Sequence, residues 1–167
     1  MTTSHKKHAR HLLVLALALW STNALAGFCS VSSSAMVFGA YQPIAFAGKL
    51  QSSNANSNAT ISVSCSGISS AASYTIGLGP SSQGPGNGIS TRYLNNTAGG
   101  APMAYNIYTD PNRMTVWGNN MNVLNGEIAS GNSNLSHTVY GVIPAGQNTL
   151  MKGNYVDTLT ITLTYAP

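Results

Sequence analysis

Charge is what this chain has least of. Only 6% of its 167 residues are Asp, Glu, Lys or Arg, with seven cations against three acids. Three of the cations, Lys6, Lys7 and Arg10, precede the apolar run LLVLALALW at residues 12–20, which leads into Ala24-Leu25-Ala26. A charged head, a short apolar core and a small-residue end predict a secretory signal peptide over residues 1–26, and the run is too short to cross a bilayer as a helix. Cleavage after Ala26 leaves residues 27–167 with four cations and three acids, so the basic balance belongs to the leader. A nucleic-acid partner loses its electrostatic footprint. No second apolar run near 20 residues follows, and no membrane span is expected.

Groups that could carry catalysis are equally scarce. After the leader the only histidine is His137, and the only acids are Asp110, Glu127 and Asp157. No G-x-S-x-G elbow marks a nucleophile for a Ser-His-Asp set, and the cluster from Gly84 to Gly88 lacks the lysine and the strand-helix setting of a phosphate loop. No cofactor is expected, and no metal, since structural zinc wants four ligands. His137 opens a strand and is expected at an exposed edge, while Asp157 is expected to make a structural hydrogen bond to a nearby turn. The chain is read as a non-enzyme.

Helical patterning is missing as well: after the leader no window of eleven residues repeats at 3.6. The cysteines number two, Cys29 and Cys65. Export to an oxidising compartment makes a disulfide their default state. Closing a loop of about 37 residues is worth roughly 4 kcal/mol in the chain-entropy model.

What is present is alternation. In the last fifteen residues Leu159, Ile161, Leu163 and Tyr165 alternate with Thr158, Thr160, Thr162 and Thr164, the period of a half-buried strand with threonine on its wet face. The sequence stops two residues later, so this strand is expected to find its neighbours among earlier strands or on another molecule. Earlier, a first strand is predicted from Cys29 to Phe38, ending at Gly39, with a turn near Pro43. Residues 51–60 read as a polar connection, and Thr60 to Cys65 as a strand whose disulfide joins two strands through the core. Tyr74 to Leu78 alternates next. Gly79 to Gly100 reads as a long bare loop pinned in its middle by Arg92 and Tyr93. Ala104 to Tyr108 and Met114 to Trp117 are expected to form a hairpin around Asp110 and Pro111. Asn125-Gly126 is a turn signal, and His137 to Ile143 is a further strand. Short alternating runs parted by Gly, Asn and Pro predict an all-β fold, an antiparallel β-sandwich of immunoglobulin type.

Several motifs then fall into one order: Val37-Phe38-Gly39-Ala40-Tyr41, Tyr105-Asn106-Ile107-Tyr108-Thr109-Asp110, Val116-Trp117-Gly118, Val139-Tyr140-Gly141-Val142-Ile143-Pro144 with Gln147, and Gly153-Asn154-Tyr155-Val156-Asp157 before the last strand. With Cys29 and Cys65, this pattern resembles the spore coat protein U domain family, which includes subunits of archaic chaperone-usher pili. The resemblance covers essentially all of residues 27–167. It implies an incomplete immunoglobulin-like fold lacking its last strand, whose groove is filled first by a periplasmic chaperone and then by the N-terminal arm of a neighbouring pilus subunit assembled at an usher. Leu159, Ile161, Leu163 and Tyr165 are the expected groove lining, through β-strand addition.

Gly27 and Phe28 alone precede Cys29 in the expected mature chain, too few to donate a strand. A subunit that accepts but does not give is expected at the fibre tip, in adhesion and biofilm formation, with Met121, Val123 and Leu124 as a candidate surface-contact loop. The protein is then extracellular, on a pilus or the cell surface. The alternative is a self-contained secreted spore-coat or matrix protein, which must protect its edge strand internally.

Overall fold

The computed structural model describes residues 27–43, 52–82 and 88–166. The expected signal peptide, Gln51 and the glycine-rich positions 84–87 lie outside the described residues. Nine strands follow in chain order: β1 (Phe28–Ser33), β2 (Ala55–Ile68), β3 (Ala72–Leu78), β4 (Arg92–Asn96), β5 (Met103–Tyr108), β6 (Leu124–Ile128), β7 (Gly131–Ile143), β8 (Tyr155–Val156) and β9 (Ile161–Tyr165). No helix occurs among the described residues. The strands form two antiparallel sheets, one in the order β1-β2-β7-β5-β4-β8 and one in the order β6-β3-β9. This is the all-β antiparallel sandwich that the alternation predicts.

Two long neighbours, β2 and β7, form the spine of the larger sheet, paired from Ala55↔Ile143 to Cys65↔Ser133. Ile61, Val63 and Cys65 of β2 and Val139 of β7 turn into the core, facing Tyr74, Ile76 and Leu78 of β3 and Leu124 and Ile128 of β6. Their serine, threonine and asparagine neighbours point outward, so hydroxyls and amides rather than charges wet the outer face. Trp117 stitches the two sheets together. Its main-chain N–H donates to Ile107 O of β5 at 2.9 Å, and its indole Nε1 donates to Ile76 O of β3 at 2.8 Å.

Several boundaries differ from the sequence reading. The first strand ends at Ser33; residues 34–43 run on beside β2 as an extended strap with only scattered bonds. Ala55 to Thr60, expected in a polar connection, are the first half of β2, because Asn56, Asn58 and Thr60 occupy an outward face. The long stretch after Gly79 contains β4, and Met114 to Trp117 contributes a single bridge, Tyr108↔Val116.

Asn125-Gly126 lies inside β6 rather than in a turn. Gly126 sits opposite Tyr74, where a Cβ would strike the phenol ring, with Tyr74 Cε1 only 2.6 Å away. The glycine provides room, not a reversal. His137 does not open its strand, since β7 begins six residues before it. Its ring is half-buried between the sheets with Nε2 2.6 Å from the Tyr74 hydroxyl.

The disulfide between Cys29 and Cys65 is present, with Cα atoms 4.1 Å apart. The two residues are direct partners on adjacent strands β1 and β2. It therefore fastens an edge strand to its neighbour within one sheet rather than crossing from sheet to sheet.

Candidate functional site

Alternation continues from β8 through β9 as the sequence requires: Tyr155, Asp157, Leu159, Ile161, Leu163 and Tyr165 are half-buried, and Thr158, Thr160, Thr162 and Thr164 are exposed. On one side β9 pairs with β3 of the same chain, from Leu78↔Ile161 to Tyr74↔Tyr165. On its other side no described strand pairs with it. Strand β1 is bounded in the same way, paired with β2 and with no described strand beyond. These two free edges, one from each sheet, face each other across a seam.

One end of the seam is closed. The Tyr165 hydroxyl accepts from the Cys29 N–H at 3.3 Å and lies 3.4 Å from the Gly27 carbonyl, to which it donates. Farther along, where β1 gives way to the strap, the seam opens into two cavities. The smaller, about 280 Å³, lies beneath Ser33 to Met36 and reaches Ile61, Ile107, Trp117 and Val139 of the core, with Leu159 and Ile161 as its far wall. The larger, about 880 Å³, lies between Met36 to Pro43 and Leu150 to Asp157, over Leu94, Met103 and Ile143. Of the four residues named for a groove, Leu159 and Ile161 line the smaller cavity. Leu163 packs against the core, and Tyr165 is the latch at the closed end.

The strap supplies lining that sequence reasoning did not assign. Met36 and Phe38 are half-buried and enter the seam, whereas Val37 between them is 72% exposed. Both lie on β7 at Gly141, where a Cβ would meet Met36 Sδ and stand 2.7 Å from Phe38 Cζ. A glycine inside an otherwise apolar strand is the signal that could have located them. Phe38 also meets the ring of Tyr105 edge-on at 6.0 Å.

Polar groups flank this apolar lining. Asp157 accepts from the Tyr105 hydroxyl at 2.7 Å, from Ser82 N–H and Oγ at 3.4 and 3.3 Å, and from Thr158 N–H at 2.8 Å. This is the structural hydrogen bonding expected of it. Burial first, and the neighbouring Asp157 second, push the Tyr105 phenol well above its ordinary range.

Arg92 is fully buried. Its Nε donates to Gly79 O, one terminal nitrogen to Asn106 Oδ1 and the other to Leu78 O and Trp117 O. Asn106 in turn donates to Ile89 O and Ser90 O, so the pair pins the loop as expected of Arg92. Burial lowers the Arg92 pKa, and the nearby Tyr105 and Asp157 oppose that shift.

Asp110 spends its carboxylate on the Met114 and Thr115 amides, which lower its pKa, and His137 bonds to Tyr74. No cluster of three or more metal-ligating side chains occurs among the described residues. No described helix is long and apolar enough to cross a membrane. The candidate contact loop divides: Met121 is 79% exposed and Val123 half-buried, but Leu124 begins β6 with 8% exposure. Leu124 is thus a core residue, drawn inward by its pairing with Ile76.

Comparison with known proteins agrees with this architecture. The chain is 30% identical over 145 residues to "Protein U" of Myxococcus xanthus, spanning 83% of this chain and 78% of that protein. The family model for the Spore Coat Protein U domain matches residues 16–162, almost the whole length. A sandwich with two free edges, a disulfide-fastened first strand and this match together place the chain in the Spore Coat Protein U domain family.

Proposed function

We propose that this protein is a secreted, non-enzymatic structural subunit of a coat or pilus fibre, and that it works by accepting a β-strand from another chain into its seam. One observation carries the reading: the unpaired edges of β1 and β9 face each other over cavities that reach the core at Trp117 and Val139. An inserted strand gains main-chain hydrogen bonds along β9, and its alternate side chains enter apolar space beside Leu159 and Ile161. A periplasmic chaperone first, and then a neighbouring subunit delivered at an usher, are the partners of this chemistry. The resulting fibre lies outside the cell.

A second reading, a self-contained coat or matrix protein, draws on the Tyr165 latch, which ties β9 to β1 without help from another chain. Expression of the precursor in a bacterial periplasm, with and without a cognate chaperone, separates the two. Recovery only as a chaperone complex supports the acceptor. A protease-resistant monomer made alone, whose β9 amides are as protected from exchange as those of β7, refutes it.

A further inference from the structure

The seam is divided. Its two cavities share four lining residues, Met36 and Phe38 of the strap on one side and Leu94 and Asp157 on the other. An inserted strand advances about 3.3 Å per residue and would lie across this line within a few residues of Ile161. Its alternate side chains need the space that Met36 and Phe38 now fill.

The geometry points to Met36 and Phe38 as a gate, a pair that sets how tightly and which strands the seam admits; the inference rests on the strand-acceptor reading above. The strap that carries them is anchored on either side of the pair: Ser34 Oγ accepts from Thr60 N–H at 2.9 Å, and the Tyr41 hydroxyl donates to Pro144 O at 2.7 Å and accepts from Gln147 N–H at 3.2 Å. Between these anchors Ser34 N–H donates to Thr60 O at 2.9 Å and Ser57 Oγ to Val37 O at 2.7 Å, and residues 34–43 form no strand ladder. Gly39 follows in the left-handed region at φ 73, a conformation that glycine reaches without strain. Methionine is the most adaptable apolar side chain.

The two sides of the gate are also linked. Phe38 meets the Tyr105 ring, and the Tyr105 hydroxyl donates to Asp157, the residue opposite. A bulky incoming side chain must displace the strap, whereas glycine or alanine at the same place can pass under it. The gate therefore favours strands that are small at one position and apolar on either side.

The test uses the exported protein and a synthetic eleven-residue peptide alternating valine and threonine, read by fluorescence anisotropy. The double variant M36A/F38A removes the gate. The variant Gly141→Ala pushes both side chains off β7 while keeping their apolar surface. If the closed gate outweighs the open one about ten to one, each folded variant binds the peptide about tenfold more tightly than the parent. Equal or weaker binding by the folded variants, with the parent binding, overturns the gate and leaves the acceptor reading standing. Failure of all three proteins to bind the peptide overturns both.

Discussion

Replacing Arg92 by leucine is the sharpest test of how the loops over the core are held. The guanidinium is fully buried, and its four hydrogen bonds of 2.6–3.0 Å go to three main-chain carbonyls and the Asn106 amide rather than to a carboxylate. Leucine fills part of the space but offers no donor to Leu78 O, Gly79 O or Trp117 O. Leaving a buried acceptor unsatisfied costs about 1–3 kcal/mol per group. The variant also escapes the cost of burying a charge, which offsets part of that loss. The balance, three carbonyls left unsatisfied less that offset, is a destabilisation of about 3–5 kcal/mol. Against a typical domain stability of about 5–15 kcal/mol, such a variant is marginal. Lysine in the same place keeps the charge but not the planar fork, and falls between the two. Urea denaturation followed by circular dichroism measures this as a drop in midpoint of about 1 M or more at unchanged slope. A loss for Arg92→Leu below about 1 kcal/mol would show that the carbonyls are satisfied without the arginine.

Substituting both Cys29 and Cys65 by serine is expected to cost about 2–5 kcal/mol in thermal or chemical unfolding; a variant as stable as the parent refutes a structural role for the bond. His137 has its pKa lowered by burial, so the folded state prefers the neutral ring. Its contribution is complete above the unfolded value of about 6.5 and is lost as pH falls toward the lower folded value, with a slope of at most about 1.4 kcal/mol per pH unit. His137→Gln should flatten the urea midpoint between pH 8 and 5, and an unchanged acid slope would exclude this group. Gly126→Ala places a methyl against Tyr74 and should cost about 1–3 kcal/mol by overcrowding, which calorimetry reads directly. Tyr165→Phe removes the latch, so amide exchange at Cys29 should quicken while that at Val139 stays slow.

Alternation was the legible part of the fold. The threonine face of residues 158–164 and the apolar face of β3 follow from a period of two, and both stand where the pattern put them. Boundaries failed where composition misled. Ala55 to Thr60 look like a loop because asparagine and serine dominate, yet on the outer face of a central strand they need only be small and polar. Asn125-Gly126 looks like a turn because local chemistry cannot register that Tyr74 will lie across the glycine. The seam was legible on its β9 side, from Leu159 and Ile161, but not on its strap side. Met36 and Phe38 reach it only through tertiary placement on Gly141. Leu124 was misplaced because a single apolar residue in a polar stretch serves equally as core or contact.

The cross-strand disulfide has a consequence for where this protein can exist in working form. Strand β1 is held along one side only, and together with the strap it forms one bank of the seam. Cys29 and Cys65, reduced, leave that bank to a few main-chain bonds; oxidised, they rivet it to the spine of the larger sheet. This free edge is thus completed by the redox state of its surroundings. In a reducing environment the chain carries the sequence of the seam without its finished shape, and oxidation becomes the last step of folding.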